Sequence, residues 1–188
     1  MLLIYPDLAA TPVSATFYTI GHSTHTIESF VSLLLMAGVN YLVDVRTVPK
    51  SRTNPQFNKD LMPETLGAYQ IGYEHVAELG GLRGRQPLAA SANTYWHNLS
   101  FRNYADYAMS PAFAPGLRHL RDMGHSHTTA IMCAEAVWWR CHRRIIADYL
   151  LAAGENVRHI MPDGSQAEAM LTPSAHREGS HLVYVAAE

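Results

Sequence analysis

Short apolar runs alternate along this chain with longer stretches in which apolar residues recur at helical spacing. Residues 17–20 predict a buried strand, because a short apolar run bounded by polar segments is typical of a strand covered on both faces. Residues 27–37 predict an amphipathic helix, with Thr26 as its N-cap and Gly38 as its stop. The first part of the chain therefore predicts a strand, a polar loop and a helix, in that order.

The alternation of predicted strands and helices continues towards the C-terminus. Further strands are predicted at 41–45, 73–76, 128–133, 157–161 and 181–185. Further helices are predicted from about Asn58 or Pro63, from Ser110 as an N-cap followed by Pro111, and over 141–153 with Gly154 as its stop. The interval 84–103 is predicted as a loop that covers a site.

Alternating strands and helices indicate an α/β fold in three layers, with a mainly parallel sheet and helices on both of its faces. The arrangement is Rossmann-like but not the classical dinucleotide-binding form, since no complete G-x-G-x-x-G follows the first strand. A chain of 188 residues fits one domain. We expect residues 1–16 to be a poorly ordered lead-in and residues 17–188 to form a single α/β domain.

The net charge and the hydropathy of the chain argue against nucleic acid and membranes as binding partners. A formal net charge of −2 creates no positive field over the whole surface, which disfavours general binding to nucleic acid. No apolar run reaches the roughly 20 residues that span a bilayer, and the N-terminus lacks a signal-peptide pattern. We therefore expect a cytoplasmic protein without membrane association. In that compartment its two cysteines, Cys133 and Cys141, should be thiols.

Polar residues follow three of the predicted strands at the point where each strand ends. They are Gly21-His22-Ser23, Asp44-Val45-Arg46 and Cys133-Ala134-Glu135. Ligands of open α/β sheets bind beyond the carboxyl ends of the strands, where the connecting loops diverge. Because side chains alternate along a strand, Asp44 and Arg46 share one face. Cys133 and Glu135 share a face for the same reason, and we expect one cleft to collect all these groups.

The residue types at these strand ends predict an anion-binding site with proton transfer. The candidate catalytic residues are groups suited to proton exchange, to aligning a neighbour or to nucleophilic attack: His22, Asp44, Cys133 and Glu135. The candidate ligand-binding residues supply hydroxyl, guanidinium, thiol and imidazole groups: Ser23, Arg46, Arg52, Cys141, His142 and Arg143. A small anionic molecule is the simplest ligand for such a set.

A structural interpretation stands beside each functional one. Asp44 and Arg46 can instead form an ion pair that closes a strand end. His22 can cap the helix that follows it, and Cys133 can be an inert core residue.

The cysteine spacing does not predict a metal site. Cys141 and His142 are adjacent, so their side chains diverge by about 100° around a helix. The pattern Cys-x7-Cys-His also matches no common zinc spacing. We assign no metal ligands, and the sequence names no cofactor.

Five ordered motifs of the chain resemble one known family. They are Thr19-Ile20-Gly21-His22-Ser23, Asp44-Val45-Arg46 with Pro49-x-Ser51-Arg52, Leu79-Gly80-Gly81, Tyr104-x-x-Tyr107-x-Met109, and Cys133-Ala134-Glu135 followed by Cys141-His142-Arg143. In this combination, over about residues 17–171, the chain resembles the family called domain of unknown function 488. The resemblance implies a compact α/β fold and a shared polar site, but no particular reaction. The site is carried onto His22, Asp44, Arg46, Arg52, Cys133, Glu135, Cys141, His142 and Arg143.

Three functions are compatible with these residues. The leading hypothesis is an enzyme, a hydrolase or a transferase, that acts on a small phosphate-bearing or nucleotide-like anion. The second is a metal- or haem-binding sensor or redox protein that uses the histidines and cysteines. The third is a nucleic-acid-associated module, against which the acidic balance argues. Its basic patch would comprise Arg52, Arg83, Arg85, Arg143 and Arg144.

Overall fold

The computed structural model describes residues 14–87 and 90–186 of the protein. The predicted lead-in lies outside these residues up to position 13, and Thr16 already belongs to the first strand. The strands are β1 (Thr16–Gly21), β2 (Tyr41–Asp44), β3 (Gly72–His75), β4 (Thr129–Cys133), β5 (Asn156–Ile160), β6 (Gln166–Glu168), β7 (Ala175–Glu178) and β8 (His181–Tyr184). The α-helices are α1 (Ile27–Met36), α2 (Met62–Gly67), α3 (Leu99–Ala108), α4 (Phe113–Ser126) and α5 (Arg143–Ala152). Short 3-10 helices occupy Pro55–Phe57, Ala77–Leu79 and Trp138–Arg140.

The main sheet has the strand order β3-β2-β4-β1-β5-β6. Neighbouring strands are parallel from β3 through β5, and β6 runs antiparallel to β5 at the edge. The mainly parallel sheet predicted from the alternating pattern is therefore confirmed. Because β2, β4 and β1 are adjacent, the three polar strand ends found in the sequence lie next to one another.

Helices cover both faces of this sheet and complete the three predicted layers. One face packs against α1 and α2, in a core formed by Ile20, Leu42, Met132, Phe30, Leu34, Met62 and Leu66. The opposite face packs against α3, α4 and α5, in a core formed by Val43, Ile131, Cys133, Tyr104, Leu120 and Ile145.

The register between β2 and β4 decides which face each polar strand end belongs to. Asp44 is aligned with Met132, so both face the layer of α1 and α2. The next residue of β4, Cys133, faces the layer of α3, α4 and α5. The carboxylate and the thiol therefore lie on opposite sides of the sheet.

Local signals in the sequence set several helix ends. The Thr26 hydroxyl accepts a hydrogen bond from the Ser29 amide at 3.2 Å, which confirms the predicted N-cap of α1. Gly38 and Gly154 adopt φ angles of 69° and 86° just after α1 and α5. These left-handed conformations favour glycine, as predicted for both helix stops.

Two predicted boundaries near α3 and α4 are wrong. The helix α4 begins at Phe113 with Ala112 at its N-cap, so Ser110 does not cap it. The interval 84–103 is not wholly a loop, because the side chain of Asn98 caps the first amides of α3 and starts a helix at Leu99.

The predicted strand at 181–185 forms as β8 but lies outside the main sheet. It pairs in antiparallel fashion with β7, a strand that the sequence pattern did not reveal. The Tyr184 hydroxyl donates to Asp148 Oδ2 of α5, and the Leu182 amide donates to the Tyr149 hydroxyl. These contacts hold the small sheet against α5.

Among the described residues, the longest helix is α4, with 14 residues. A helix that spans a bilayer needs roughly 20. No helix in this part of the chain is long and apolar enough to cross a membrane.

Candidate functional site

The ends of β1 and β4 are held together beyond the last ladder pair. The His22 amide donates to the Cys133 carbonyl at 2.9 Å, and the Ser23 amide donates to the Ala134 carbonyl at 3.1 Å. A Cβ at position 21 would collide with the carbonyl oxygen of Glu135, so only glycine permits this approach. The motif around Gly21 therefore brings two polar strand ends into contact.

Asp44 and Arg46 form a buried ion pair at the end of β2. Arg46 Nη2 lies 2.6 Å from Asp44 Oδ2, and Arg46 Nε lies 2.9 Å from Oδ1. Asp44 is 0% exposed and also accepts a hydrogen bond from the Tyr73 hydroxyl at 2.7 Å. Arg46 Nη2 donates further to the carbonyl of Phe57. The pair thus takes the structural form that the sequence left as an alternative, with most guanidinium donors already engaged.

His22 is buried beside this ion pair. Its Nδ1 donates to the Ser23 carbonyl at 2.9 Å, and its Nε2 accepts from Arg46 Nη1 at 3.2 Å. Its ring stacks on Phe57, with centroids 4.4 Å apart. Burial, assisted by the nearby Arg46 charge, lowers the pKa of His22 to about 4. The imidazole is therefore neutral at pH 7, and its basic nitrogen is directed at a guanidinium.

A first cleft, called here the histidine cleft, opens beside these residues. Its volume is about 320 Å³, and its walls include His22, Ser23, Arg46, Lys50, Ser51 and Ala134. Ser23 adopts a φ of 44°, which turns the chain at the end of β1.

The two cysteines lie in contact on the other face of the sheet. Cys133 Sγ and Cys141 Sγ are 2.6 Å apart, and the residues are 2% and 3% exposed. The Glu135 amide donates to Cys133 Sγ at 3.3 Å. The intervening turn is anchored by Trp138, whose ring stacks on His159 of β5 at 4.3 Å. The turn therefore places the residue before α5 against the end of β4.

Arg143 is a buried cation next to these thiols. It is 1% exposed, its Nη2 donates to the Glu135 carbonyl at 2.7 Å, and its Nε donates to Cys141 Sγ at 3.4 Å. None of the ion pairs among the described residues gives it a carboxylate partner. A buried charge is costly unless it is paired, and Cys141 is the group in contact that can become an anion. This geometry favours the thiolate form of Cys141.

His142 completes the surroundings of Cys141. Its Nε2 donates to the Val45 carbonyl at 2.9 Å, which leaves Nδ1 facing Cys141 Sγ at 3.4 Å. A Cβ at Gly81 would collide with the His142 ring. The glycine at position 81 therefore makes room for the imidazole.

The two thiols have opposite acidities. Burial raises the pKa of Cys141, but the hydrogen bond from Cys133 and the charges of His142 and Arg143 together hold it well below its usual range. Burial and the hydrogen bond to Cys141 raise the pKa of Cys133 well above its usual range. Cys141 is therefore the more acidic of the two thiols, and Cys133 is placed to donate to it.

A second cleft, called here the cysteine cleft, has both cysteines in its wall. Its volume is about 420 Å³, which suits a small molecule. Its polar walls include Cys133, Glu135, Arg140, Cys141 and His142, and Leu82 and Phe101 add apolar surface. Arg46, Val48 and Ala134 line both clefts, so the two adjoin at the sheet end.

The structure divides the sequence-predicted site residues between these two clefts. His22, Ser23 and Asp44 belong to the histidine side, with Arg46 on the boundary. Cys133, Glu135, Cys141 and His142 line the cysteine cleft, and Arg143 lies buried behind it. Arg52 is exposed and lines neither cleft.

Two residues of the site were missed in the sequence. Tyr73 is recognisable only once β3 is known to pair with β2, which aligns it with Leu42 next to Asp44. Arg140 carried a usable signal, because it directly precedes the cysteine that starts the α5 segment.

Two alternatives from the sequence, a metal site and a basic patch, concern other groups of side chains. No cluster of three His, Cys, Asp or Glu side chains in the described parts of the chain is placed to hold a metal ion. Of the arginines considered for nucleic-acid binding, Arg143 is buried, Arg83 donates to Gly80 and Ala77 carbonyls, and Arg144 donates to Thr172.

A family model described as "Domain of unknown function DUF488" matches residues 26–150, about two thirds of the chain. The chain belongs to the DUF488 family. The family match contains both cysteines and the Asp44–Arg46 pair of this DUF488 protein, whereas His22 lies just before it. Comparison with curated proteins and with solved structures gave no match.

Proposed function

We propose that this DUF488 protein binds a small anionic ligand in the cysteine cleft and attacks it with the Cys141 thiolate. The reaction class would be hydrolysis or group transfer. One observation carries the proposal: Cys141 Sγ contacts the buried guanidinium of Arg143, which has no carboxylate partner in the described structure. A thiolate so stabilised on a cleft wall is suited to nucleophilic attack.

Positive groups around the cysteine cleft favour an anion there. Arg140 is exposed on its wall, and Arg46 lines it. The amino end of α5 adds the partial positive charge of the helix. Guanidinium groups bind phosphate and carboxylate well, and the apolar surface of Leu82 and Phe101 suits an attached organic group. A small phosphate ester or a nucleotide-like molecule fits this combination.

Proton exchange would fall to Glu135. Its side chain is exposed, lines the cleft and has no hydrogen-bond partner among the described residues. A carboxylate in this position can accept a proton from water or return one to a leaving group. His22 and Asp44 would hold Arg46 in place rather than exchange protons, because both are occupied by that guanidinium. We also propose a cytoplasmic location, where both thiols stay reduced.

The proposal is tested by alkylation of the full chain with iodoacetamide across pH, in the absence and presence of inorganic phosphate. Trypsin cleaves after Arg140, so mass spectrometry reads Cys133 and Cys141 on separate peptides. We expect Cys141 to react as a thiolate well below the ordinary thiol pKa of about 8.5, and phosphate to slow its reaction.

A matched pair of variants separates a specific site from a general charge effect. Arg140→Gln should weaken the protection by phosphate, and because it loses the tryptic site between the cysteines, fragment ions of the single peptide assign the alkylated sulfur. Arg118→Gln, at an exposed position of α4 outside the cleft, should not weaken the protection. Alkylation of Cys141 with an ordinary thiol pH profile and no effect of phosphate would overturn the proposal.

A further inference from the structure

We propose that Cys133 and Cys141 form a reversible disulfide when Cys141 is oxidised by a hydroperoxide. The cysteine cleft would then be a site of redox modification. The inference shares the Cys141 thiolate with the proposed function but does not require a bound anion. It is carried by the contact between the two sulfur atoms and by the different surroundings of each.

The sulfur atoms already lie in contact, so little movement separates the dithiol from the disulfide. Cys133 ends β4, Cys141 immediately precedes the helical turn that opens α5, and their Sγ atoms are 2.6 Å apart. Both line the cysteine cleft, so a small oxidant has access to them. The chain contains no other cysteine, so each is the other's sole intramolecular partner.

The surroundings assign different roles to the two thiols. Cys141 Sγ receives hydrogen bonds from Arg143 Nε at 3.4 Å and from the Arg143 amide at 3.5 Å, which stabilise its anion. The thiolate, not the thiol, is the form of cysteine that attacks a peroxide. Cys133 Sγ instead contacts the Glu135 backbone and Cys141 Sγ. Cys141 is therefore the sulfur that is oxidised first, and Cys133 the sulfur that resolves it.

The chemistry proceeds in two steps. The Cys141 thiolate attacks the terminal oxygen of the hydroperoxide, the O–O bond breaks, and the alkoxide leaves as an alcohol after taking a solvent proton. Cys133 then attacks the sulfur of the resulting sulfenic acid, the S–O bond breaks, and hydroxide leaves with the Cys133 proton as water. Two electrons pass from the sulfurs to the peroxide. Two molecules of a small thiol, such as one of the glutathione class, restore both cysteines by exchange and leave as their own disulfide.

The experiment treats the reduced full chain with equimolar hydrogen peroxide, blocks free thiols by alkylation and digests it with trypsin. Since trypsin cleaves after Arg140 and Arg143, a disulfide joins two otherwise separate peptides. We expect the joined peptide in the wild-type protein and its release by dithiothreitol. This readout requires no variant, so it does not depend on a substitution folding correctly.

Two variants then test the order of the steps. In Cys133→Ser, Cys141 should stop at a sulfenic acid that dimedone traps, because the resolving sulfur is missing. In Cys141→Ser, peroxide should be consumed at least about tenfold more slowly. Circular dichroism and thermal unfolding establish that each variant is folded.

Recovery of both thiols as alkylated peptides after the peroxide treatment would overturn the inference. So would direct conversion of wild-type Cys141 to the sulfinic acid while Cys133 is still free. The two proposals fail under different results. A disulfide that forms without any protection by phosphate contradicts only the proposed ligand site. Protection by phosphate without a disulfide contradicts only the proposed redox site.

Discussion

The guanidinium of Arg143 donates from Nε to the sulfur of Cys141 across 3.4 Å while being 1% exposed. Its Nη2 donates to the backbone carbonyl of Glu135, which carries no net charge. A cation buried in this way is stabilised by an anion in contact, and Cys141 is a contacting group that can become one. The acidity of Cys141 and the tolerance of a buried Arg143 are therefore two consequences of one contact.

Replacing Arg143 should slow alkylation of Cys141 at neutral pH. Arg143→Leu removes the cation and raises the pKa of the thiol, and each pKa unit lowers the thiolate fraction about tenfold. Arg143→Lys retains the charge and should retain more of the reactivity. The pH profile of iodoacetamide alkylation measures both. Equal rates for the Leu variant and the wild type at neutral pH would contradict the assigned thiolate.

Breaking the buried pair at the end of β2 should strongly destabilise the protein. Asp44→Asn leaves Arg46 without its carboxylate, and removal of one partner of a buried pair costs about 3–5 kcal/mol. Tyr73→Phe removes only one hydrogen bond to Asp44 and should cost about 1–2 kcal/mol. Urea unfolding measures the free energy of each. An Asn variant within about 0.5 kcal/mol of the wild type would refute this account.

Stability should fall as pH is lowered from 6.5 towards 4. Burial lowers the pKa values of His22 and His159 from the ordinary value of 6.5 to about 4, so between these limits the unfolded chain binds more protons than the folded one. Each histidine then adds a slope of at most about 1.4 kcal/mol per pH unit. Above pH 6.5 their contribution is complete. Glu155, whose pKa is lowered, adds its own loss only as pH falls below about 4.5.

Single variants measure how much each histidine contributes to the slope of the unfolding free energy against pH. His22→Gln and His159→Gln should each flatten the dependence of the unfolding free energy on pH, and the double variant should flatten it further. Urea unfolding at several pH values within the window measures the slopes. A wild-type free energy of unfolding that stays constant across the window would show that the two imidazoles are not held neutral.

A methyl group at Gly81 should disturb the thiol pair from a distance. In Gly81→Ala the new Cβ collides with the imidazole of His142, so we expect a loss of about 1–3 kcal/mol and slower alkylation of Cys141. Gly84→Ala is the matched control, because its Cβ would enter open space. If the two variants unfold and react alike, His142 is not positioned through Gly81.

Much of the fold was predictable from periodicity and local signals. The buried strands β1, β2 and β4 read as apolar runs, and the Thr26 cap and the two glycine stops are local features of their own helices. The start of α4 was misplaced because Ser110-Pro111 is only a statistical signal. The strand β7 was missed because most of its residues are exposed and it carries no apolar run.

The candidate site was predictable in its residues but not in its arrangement. Adjacent strand ends supplied His22, Asp44 and Cys133, and each lies at the carboxyl end of the sheet. The sequence predicted one shared cleft because the strand ends are adjacent. The register of β2 against β4 instead puts the carboxylate of Asp44 and the thiol of Cys133 on opposite faces of the sheet. Strand register depends on residues far apart in the chain, and a local pattern does not contain it.

Cys133 and Glu135 stand at the end of a strand because of their positions in the amino-acid sequence, and Cys141 and His142 stand at the start of a helix for the same reason. Which cysteine is the more acidic depends instead on how the chain packs. The sequence identifies Arg143 as basic. Its burial against Cys141, with no carboxylate partner in the described part of the chain, arises only when α5 packs on the end of β4. Acidity depends on burial and on the charges that surround a group, and both are properties of the packed structure.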